Sequence, residues 1–245
     1  MELTEEEIWY FKHNGFRRLP ECLPDDLVNR LNAVTDEQID RMIEPVVWEK
    51  RKTRTPHDVR RLSKIIARAP VYLEAASHPI ITEALRGVVG PNIELLTNKH
   101  NHIMVRPPGS DSVYWHSGEQ PYDHTLITAL VYLQESTLEN GCIRIVPGSH
   151  LRPFRRDRRP KEAFRESDLH GLSVPIPMPR GGVLLFNDCC FHGSDINMSD
   201  GSRRSMTLAY RAHDAHDVLK EDPEKILISG ERVYTGHPHP FPGSN

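Results

Sequence analysis

Two histidines of this chain stand where a chemical role is easy to specify. His116 follows the strand-like run Val113-Tyr114-Trp115 and enters the turn Ser117-Gly118-Glu119. His192 follows the apolar run Gly182-Val-Leu-Leu-Phe186 and opens the polar segment His192-Gly-Ser-Asp-Ile-Asn-Met-Ser199. Two imidazoles at strand ends, far apart in sequence, suit a metal centre with open coordination positions, and imidazole by itself accepts iron, copper, nickel or zinc. The same pattern equally describes two hydrogen-bonded histidines on the rim of a β-sandwich. His13, His57, His78, His170, His237 and His239 fall in loop or surface contexts and have no such setting.

The elements that must position the pair follow from periodicity. Thr4 with Glu7 is a capping-box signature, and Ile8, Phe11 and Lys12 continue a helical period. Pro24-Asp25-Asp26 opens a second helix through Leu27, Leu31 and Val34. Tyr72 to Val89 is a third helical stretch, interrupted at His78-Pro79 and closed by Gly90-Pro91. Beyond it the period changes to two: Ile93–Leu96, Thr125–Leu133, Cys142–Val146, Val183–Phe186 and Ser205–Arg211 predict strands separated by turn residues, as in an antiparallel sandwich. The expectation is one α+β domain over residues 1–245, helical over residues 1–90, with a β core over 93–213 and a Pro- and Gly-containing tail over 214–245.

Composition narrows the function classes. Hydrophobic residues at 38% and charged residues at 27% of 245 residues exclude a disordered, collagenous or low-complexity chain. A balance of 31 basic against 34 acidic residues gives −3, so no global field recruits a nucleic-acid polymer or a membrane. The apolar stretch Leu126–Leu133 is far short of the roughly 20 residues that span a bilayer. The acidic start Met1-Glu2-Leu3-Thr4-Glu5 is unlike a signal peptide. Cys22, Cys142, Cys189 and Cys190 show no C-x-x-C spacing, which predicts reduced thiols, no structural zinc and a cytoplasmic location.

Longer motifs are more specific. Gly182-Val-Leu-Leu-Phe186, His192-Gly-Ser194, Asn197-x-Ser199 and Arg203, together with Thr128–Leu133, Glu139-Asn-Gly141 and Ile143-Arg-Ile-Val-Pro-Gly-Ser-His150, strongly resemble the phytanoyl-CoA dioxygenase family. The acidic first helix followed by Phe11-x-x-x-Gly15-Phe16 resembles it too. The resemblance implies a double-stranded β-helix (a jelly-roll, cupin-like core with N-terminal helices packed on it) that uses iron(II), 2-oxoglutarate and O2. It implies His116 and His192 as iron ligands and Arg203 as the partner of the far 2-oxoglutarate carboxylate. A guanidinium fork suits that task, since it binds a carboxylate bidentately. Ser205 shares the strand face of Arg203 and could add a hydroxyl there. Arg204 is expected as an exposed basic neighbour.

One departure from the family pattern is informative. The position two residues after the first histidine normally carries the carboxylate that completes a facial triad, and here it is Gly118. This resembles the iron halogenases of the same superfamily, in which the gap holds chloride. Gly118 is therefore expected to mark a vacant ligand position and halide site, with chlorination of an unactivated C–H bond as the activity. Two alternatives stay open. Glu119 could reach the metal through a local bulge and make a hydroxylase, or the chain could be a binding module without turnover.

The substrate is less constrained. Arg152, Arg155, Arg156, Arg158, Arg159, Lys161 and Arg165 concentrate positive charge in an otherwise slightly acidic chain. Such a segment could close over the pocket and hold a phosphate, dock an acidic carrier protein, or be a solvated loop. The leading expectation is a small anionic metabolite such as a nucleoside monophosphate, touched by Glu119, Arg155 and Arg156, with a carrier-tethered or free amino acid next. His100, His102, Met104 and Arg106 would share one face of a strand, and Asn101 or His102 is expected near 2-oxoglutarate or substrate. His150 is expected to be structural.

Overall fold

The computed structural model describes residues 2–48, 59–118, 126–152, 166–215 and 224–232. Helix α1 (Glu5–Asn14) starts at the Thr4 capping box, in which Thr4 accepts from the Glu7 amide and Glu7 reaches back to the Thr4 amide. It ends at Gly15, whose φ of 81° is left-handed. A side chain there would collide with Cys190 Sγ and the His150 ring, so glycine lets the helix end abut the loop that precedes His192. Helices α2 (Asp25–Asp40), α3 (Pro70–Ala76) and α4 (Pro79–Val89) follow, with the predicted break falling at His78.

Two antiparallel sheets form the core. The larger runs β1 (Phe16–Arg18), β10 (Val183–Asn187), β7 (Ile127–Tyr132), β12 (Arg203–Ala212), β5 (His102–Arg106), β3 (Val59–Ser63) and β2 (Val46–Trp48). Strand β4 (Ile93–Leu96) pairs with the far half of β12, and β13 (Ile226–Ser229) pairs with β4. The smaller sheet runs β6 (Val113–His116), β11 (His192–Ser194), β8 (Ile143–Ile145) and β9 (Val174–Pro175). A short helix α5 (Glu166–Leu172) precedes β9. The antiparallel sheet-rich core with helices on one side is the jelly-roll arrangement expected of the sequence.

The alternation of side chains along each strand sorts residues between two cores. Ile103, Val105, Ile127, Ala129, Val131, Val183, Leu185, Met206 and Leu208 face the helices and pack with Leu31, Tyr72 and Leu85. The alternate positions Leu130, Tyr132, Leu184 and Phe186 face the smaller sheet and pack against Ile143 and Ile145. Each fully buried aliphatic side chain contributes about 1.5–3 kcal/mol, so this division anchors the strand register firmly.

Three expectations are revised. Residues 1–90 are not purely helical, because β1, β2 and β3 join the large sheet. The tail is not wholly irregular, because residues 226–229 add a strand. Arg204 is not exposed: it points to the helical side, where its guanidinium donates to Asn32 Oδ1 at 3.1 Å and pairs with Asp36 at 2.8 Å.

Candidate active site

Between the two sheets lies a cavity of about 660 Å³. Strand β12 contributes Arg203, Ser205 and Thr207, and β5 contributes His102, Met104 and Arg106. The smaller sheet closes it with Val113, His116, Ile143, His192 and Ser194. The histidine face of β5 left open by the sequence is thus the cavity face.

His116 and His192 are paired in register on β6 and β11, with ring centroids 4.2 Å apart. Each ring is oriented by a local backbone carbonyl. His116 Nδ1 lies 2.8 Å from Tyr114 O, and His192 Nδ1 lies 2.9 Å from Cys190 O. Carbonyls only accept, so both Nδ1 atoms carry a proton, which leaves Nε2 as the ring atom available to a metal. Burial, reinforced by the neighbouring His116, pushes the His192 pKa down to about 3, which keeps that ring neutral and ready to coordinate. The carbonyl-oriented imidazoles fit a divalent metal, as metal-binding histidines require a fixed second nitrogen. Among the described residues no cluster of three or more His, Cys, Asp or Glu side chains is assembled for a metal.

Elsewhere in the same cavity Arg203 and Arg106 face each other across the β12–β5 ladder. Arg106 donates to the carbonyls of Asp111 and Asp195. Burial, then the charge of Arg203, lowers its pKa to about 10. Arg203 is 5% exposed, and its Nε has no hydrogen-bond partner. Burial likewise lowers its pKa. A buried, incompletely satisfied guanidinium that lines a cavity is a built anion site. It fits the far carboxylate of 2-oxoglutarate, and Ser205, two residues on along β12, offers a hydroxyl to the same cavity.

The quoted motifs have clear local reasons. Asn197 Nδ2 donates to Arg106 O and Gly201 O, both at 2.9 Å, while Oδ1 accepts from the Ser199 amide and hydroxyl, which locks the turn leading into Arg203. Asn140 likewise ties Thr137 N to Glu135 O. Ser149 Oγ accepts from Phe191 N at 2.8 Å and His150 Nε2 lies 3.0 Å from Lys12 O, so the Pro147–His150 turn props up the segment before His192. Burial pushes the adjacent thiols up, Cys189 to about 11 and Cys190 to about 12.

Gly118 packs against Asp188. A side chain built there would coincide with the Asp188 carboxylate and come within 3.0 Å of Asp188 O. The Asp188 side chain therefore takes the space that a side chain at position 118 would need. Asp188 itself is 1% exposed. Asn101 lines the cavity together with His102. Its Oδ1 accepts from Ile66 N at 3.0 Å and its Nδ2 donates to Thr97 O at 2.9 Å, so its amide is spent on backbone. Glu119, Arg155 and Arg156 lie outside the described residues. Arg152, the first arginine of the basic segment, stacks over Phe191 with 3.8 Å to the ring centroid and donates to Ser117 Oγ at 2.6 Å.

The sequence did not single out Arg61, Lys64, Lys99 or Thr128, which also line the cavity. Lys64 and His100 hold left-handed φ angles of 56° and 50°. The hydrogen bond from Lys64 N to Asn101 O, 2.7 Å, joins their two segments. Such conformations persist only where surroundings over-determine them, and they concentrate at functional sites.

Residues 11–205 match the model of the phytanoyl-CoA dioxygenase (PhyH) family. The chain belongs to that family. Its activity class is accordingly that of a non-haem iron(II), 2-oxoglutarate-dependent oxygenase. Among curated relatives, "Probable alpha-ketoglutarate-dependent hypophosphite dioxygenase" of Stutzerimonas stutzeri is 28% identical over 204 residues, covering 75% of this chain and 69% of that protein. The human peroxisomal phytanoyl-CoA dioxygenase is 22% identical over 99% of this chain and 78% of its own. Among solved structures, the carbocyclase SnoK from nogalamycin biosynthesis superposes with a TM-score of 0.69 at 22% identity, covering 87% of this chain and 85% of SnoK. EctD from S. alaskensis with 2-oxoglutarate and 5-hydroxyectoine gives a TM-score of 0.70 at 22% identity, covering 86% and 76%. These likenesses extend the fold assignment to members with different chemistries.

Proposed function

We propose that this family member binds iron(II) through His116 and His192, binds 2-oxoglutarate through Arg203 and Ser205, and oxygenates a small anionic metabolite. The carrying observation is the cavity lining. Arg61, Lys64, Lys99, Arg106 and Arg203 all reach it, and no carboxylate does among the described residues. One cation serves 2-oxoglutarate, which leaves Arg61 and Lys64 for the acidic group of a second molecule. A nucleoside monophosphate is the leading candidate class; a carrier-tethered acyl group is the alternative, and the hypophosphite named for one relative is a further small anion.

Iron(II) with 2-oxoglutarate and O2 supplies the oxidising power for attack on an unactivated bond. The protein's own residues set geometry and charge. His116 and His192 leave Nε2 for the metal because their Nδ1–H groups donate to Tyr114 O and Cys190 O. Arg203 fixes the far carboxylate of the co-substrate. Leu130, Ile143 and Phe186 supply apolar wall, which excludes water beside the reacting carbon.

Chlorination is the second reading, favoured by the absence of a ligand side chain at Gly118 and opposed by the Asp188 carboxylate beside it. The deciding experiment is anaerobic addition of iron(II) and 2-oxoglutarate to the purified protein. The charge-transfer band is recorded with and without chloride, followed by O2-dependent succinate release in the presence of phosphorylated and carboxylated metabolites. The proposal expects a band indifferent to chloride and succinate release stimulated by an anionic substrate. A chloride-sensitive band transfers the assignment to halogenation, and no band at all removes the metal centre.

A further inference from the structure

We propose that Asp188 replaces the carboxylate missing at position 118, filling its place from the end of β10 and closing that place to halide. Three observations carry this. Gly118 N donates to Asp188 O at 2.6 Å, which holds the two backbones together. A Cβ on Gly118 would coincide with the Asp188 carboxylate, so the two positions share one side-chain volume. That carboxylate is also held fast: Oδ2 pairs with Lys99 Nζ at 3.0 Å, and Oδ1 accepts from His100 Nε2 at 2.9 Å and Thr128 Oγ1 at 3.3 Å.

Glycine at 118 is therefore a steric requirement of Asp188 and not an opening for an anion. A chloride approaching this place meets a volume already taken by a carboxylate with three partners. Burial alone would raise the Asp188 pKa, but His100 and Lys99 outweigh it and hold the carboxyl well below the ordinary range. Asp188 acts as a positioning residue. It keeps Lys99 and the left-handed His100 on the cavity wall.

The steric claim is independent of the proposed iron centre; the halide claim rests on it. The test begins with metal-free protein. Thermal unfolding is measured for wild type, Gly118→Ala, Asp188→Ala and the double variant. Gly118→Ala is expected to lower Tm by roughly 5 °C or more in the wild-type background and by far less in the Asp188→Ala background. An unchanged Tm for Gly118→Ala, or equal effects in both backgrounds, overturns the shared volume. If Gly118→Ala does not fold, recovery of a folded double variant supports it, and failure to recover beside a folded Asp188→Ala overturns it.

The second measurement titrates chloride into the anaerobic iron(II)–2-oxoglutarate complex of wild type and Asp188→Ala. The wild-type band is expected to stay constant and the variant band to shift. A wild-type band that shifts, or a variant band that does not, overturns the halide claim. Absence of the band in wild type counts against the iron centre, while the Tm comparison still decides the relation between positions 118 and 188.

Discussion

Arg203 and Arg106 stand directly opposite each other on β12 and β5, two buried guanidiniums in a cavity whose described lining contains no carboxylate. Like charges buried side by side are costly unless an anion joins them. Substitution of Arg203 by Lys or Ala is expected to raise the KM for 2-oxoglutarate by about 10- to 100-fold, the loss of one charge-assisted pair. Lysine should rescue little, because the paired fork geometry is lost. Steady-state kinetics with varied 2-oxoglutarate check this, and a KM within about twofold of wild type would remove Arg203 from the co-substrate site.

Arg61 and Lys64 make a separate prediction. Replacing both by Ala should raise the KM for an anionic substrate at least about tenfold, the scale of one lost charged hydrogen bond. The KM for 2-oxoglutarate should stay unchanged. Parallel changes in both constants would mean that these residues shape the cavity as a whole.

Acid should destabilise the metal-free protein in a definite window. His192 and His102 are both pushed down to about 3, chiefly by burial. Their folded-state pKa values lie below those of the unfolded chain, so there is no penalty above about pH 6.5. As the pH falls from there toward 3, the unfolded chain takes up protons the folded one refuses, and stability declines by up to about 1.4 kcal/mol per pH unit for each ring. Urea unfolding at pH 7.5, 6 and 5 reads this slope directly. His102→Gln should make it shallower; an unaltered slope would show that His102 titrates normally.

Away from the cavity, Glu94 is fully buried on β4 and meets Arg211 at 3.0 Å, His213 at 2.7 Å and Lys225 at 3.9 Å. This cluster ties β12 and the segment leading into β13 to β4. Glu94→Gln leaves several cationic groups around an uncharged partner and should cost about 3–5 kcal/mol of stability. Because none of these residues lines the cavity, the KM for 2-oxoglutarate should not change. Denaturant unfolding beside kinetics separates the two effects.

The regions of the fold legible in the sequence were those written in apolar runs or alternation. Ile127–Tyr132 and Val183–Asn187 bury nearly every residue and read as short apolar runs bounded by turn residues, and Arg203–Ala212 alternates polar and apolar residues through its first half. Strands such as Phe16–Arg18 and Val46–Trp48 are three residues long and become strands only by pairing with β10 and β3. His192, expected at the start of a loop, begins β11 because β6 and β8 flank it. The meeting of His116 with His192 was legible through motif resemblance, whereas the Asp188–Gly118 contact was not. It is an approach between residues 70 positions apart, and a glycine in a sequence does not say whose atoms take its place.

The paired thiols next to His192 have a consequence for the enzyme's lifetime. An oxygen-activating centre endangers nearby sulfur, and the thiolate is the form that oxidants attack fastest. Burial pushes Cys189 up to about 11 and Cys190 up to about 12, which favours the thiol over the thiolate at neutral pH. The loop before His192 therefore carries two cysteines, within a few residues of the proposed iron ligand, in the form that oxidants attack more slowly.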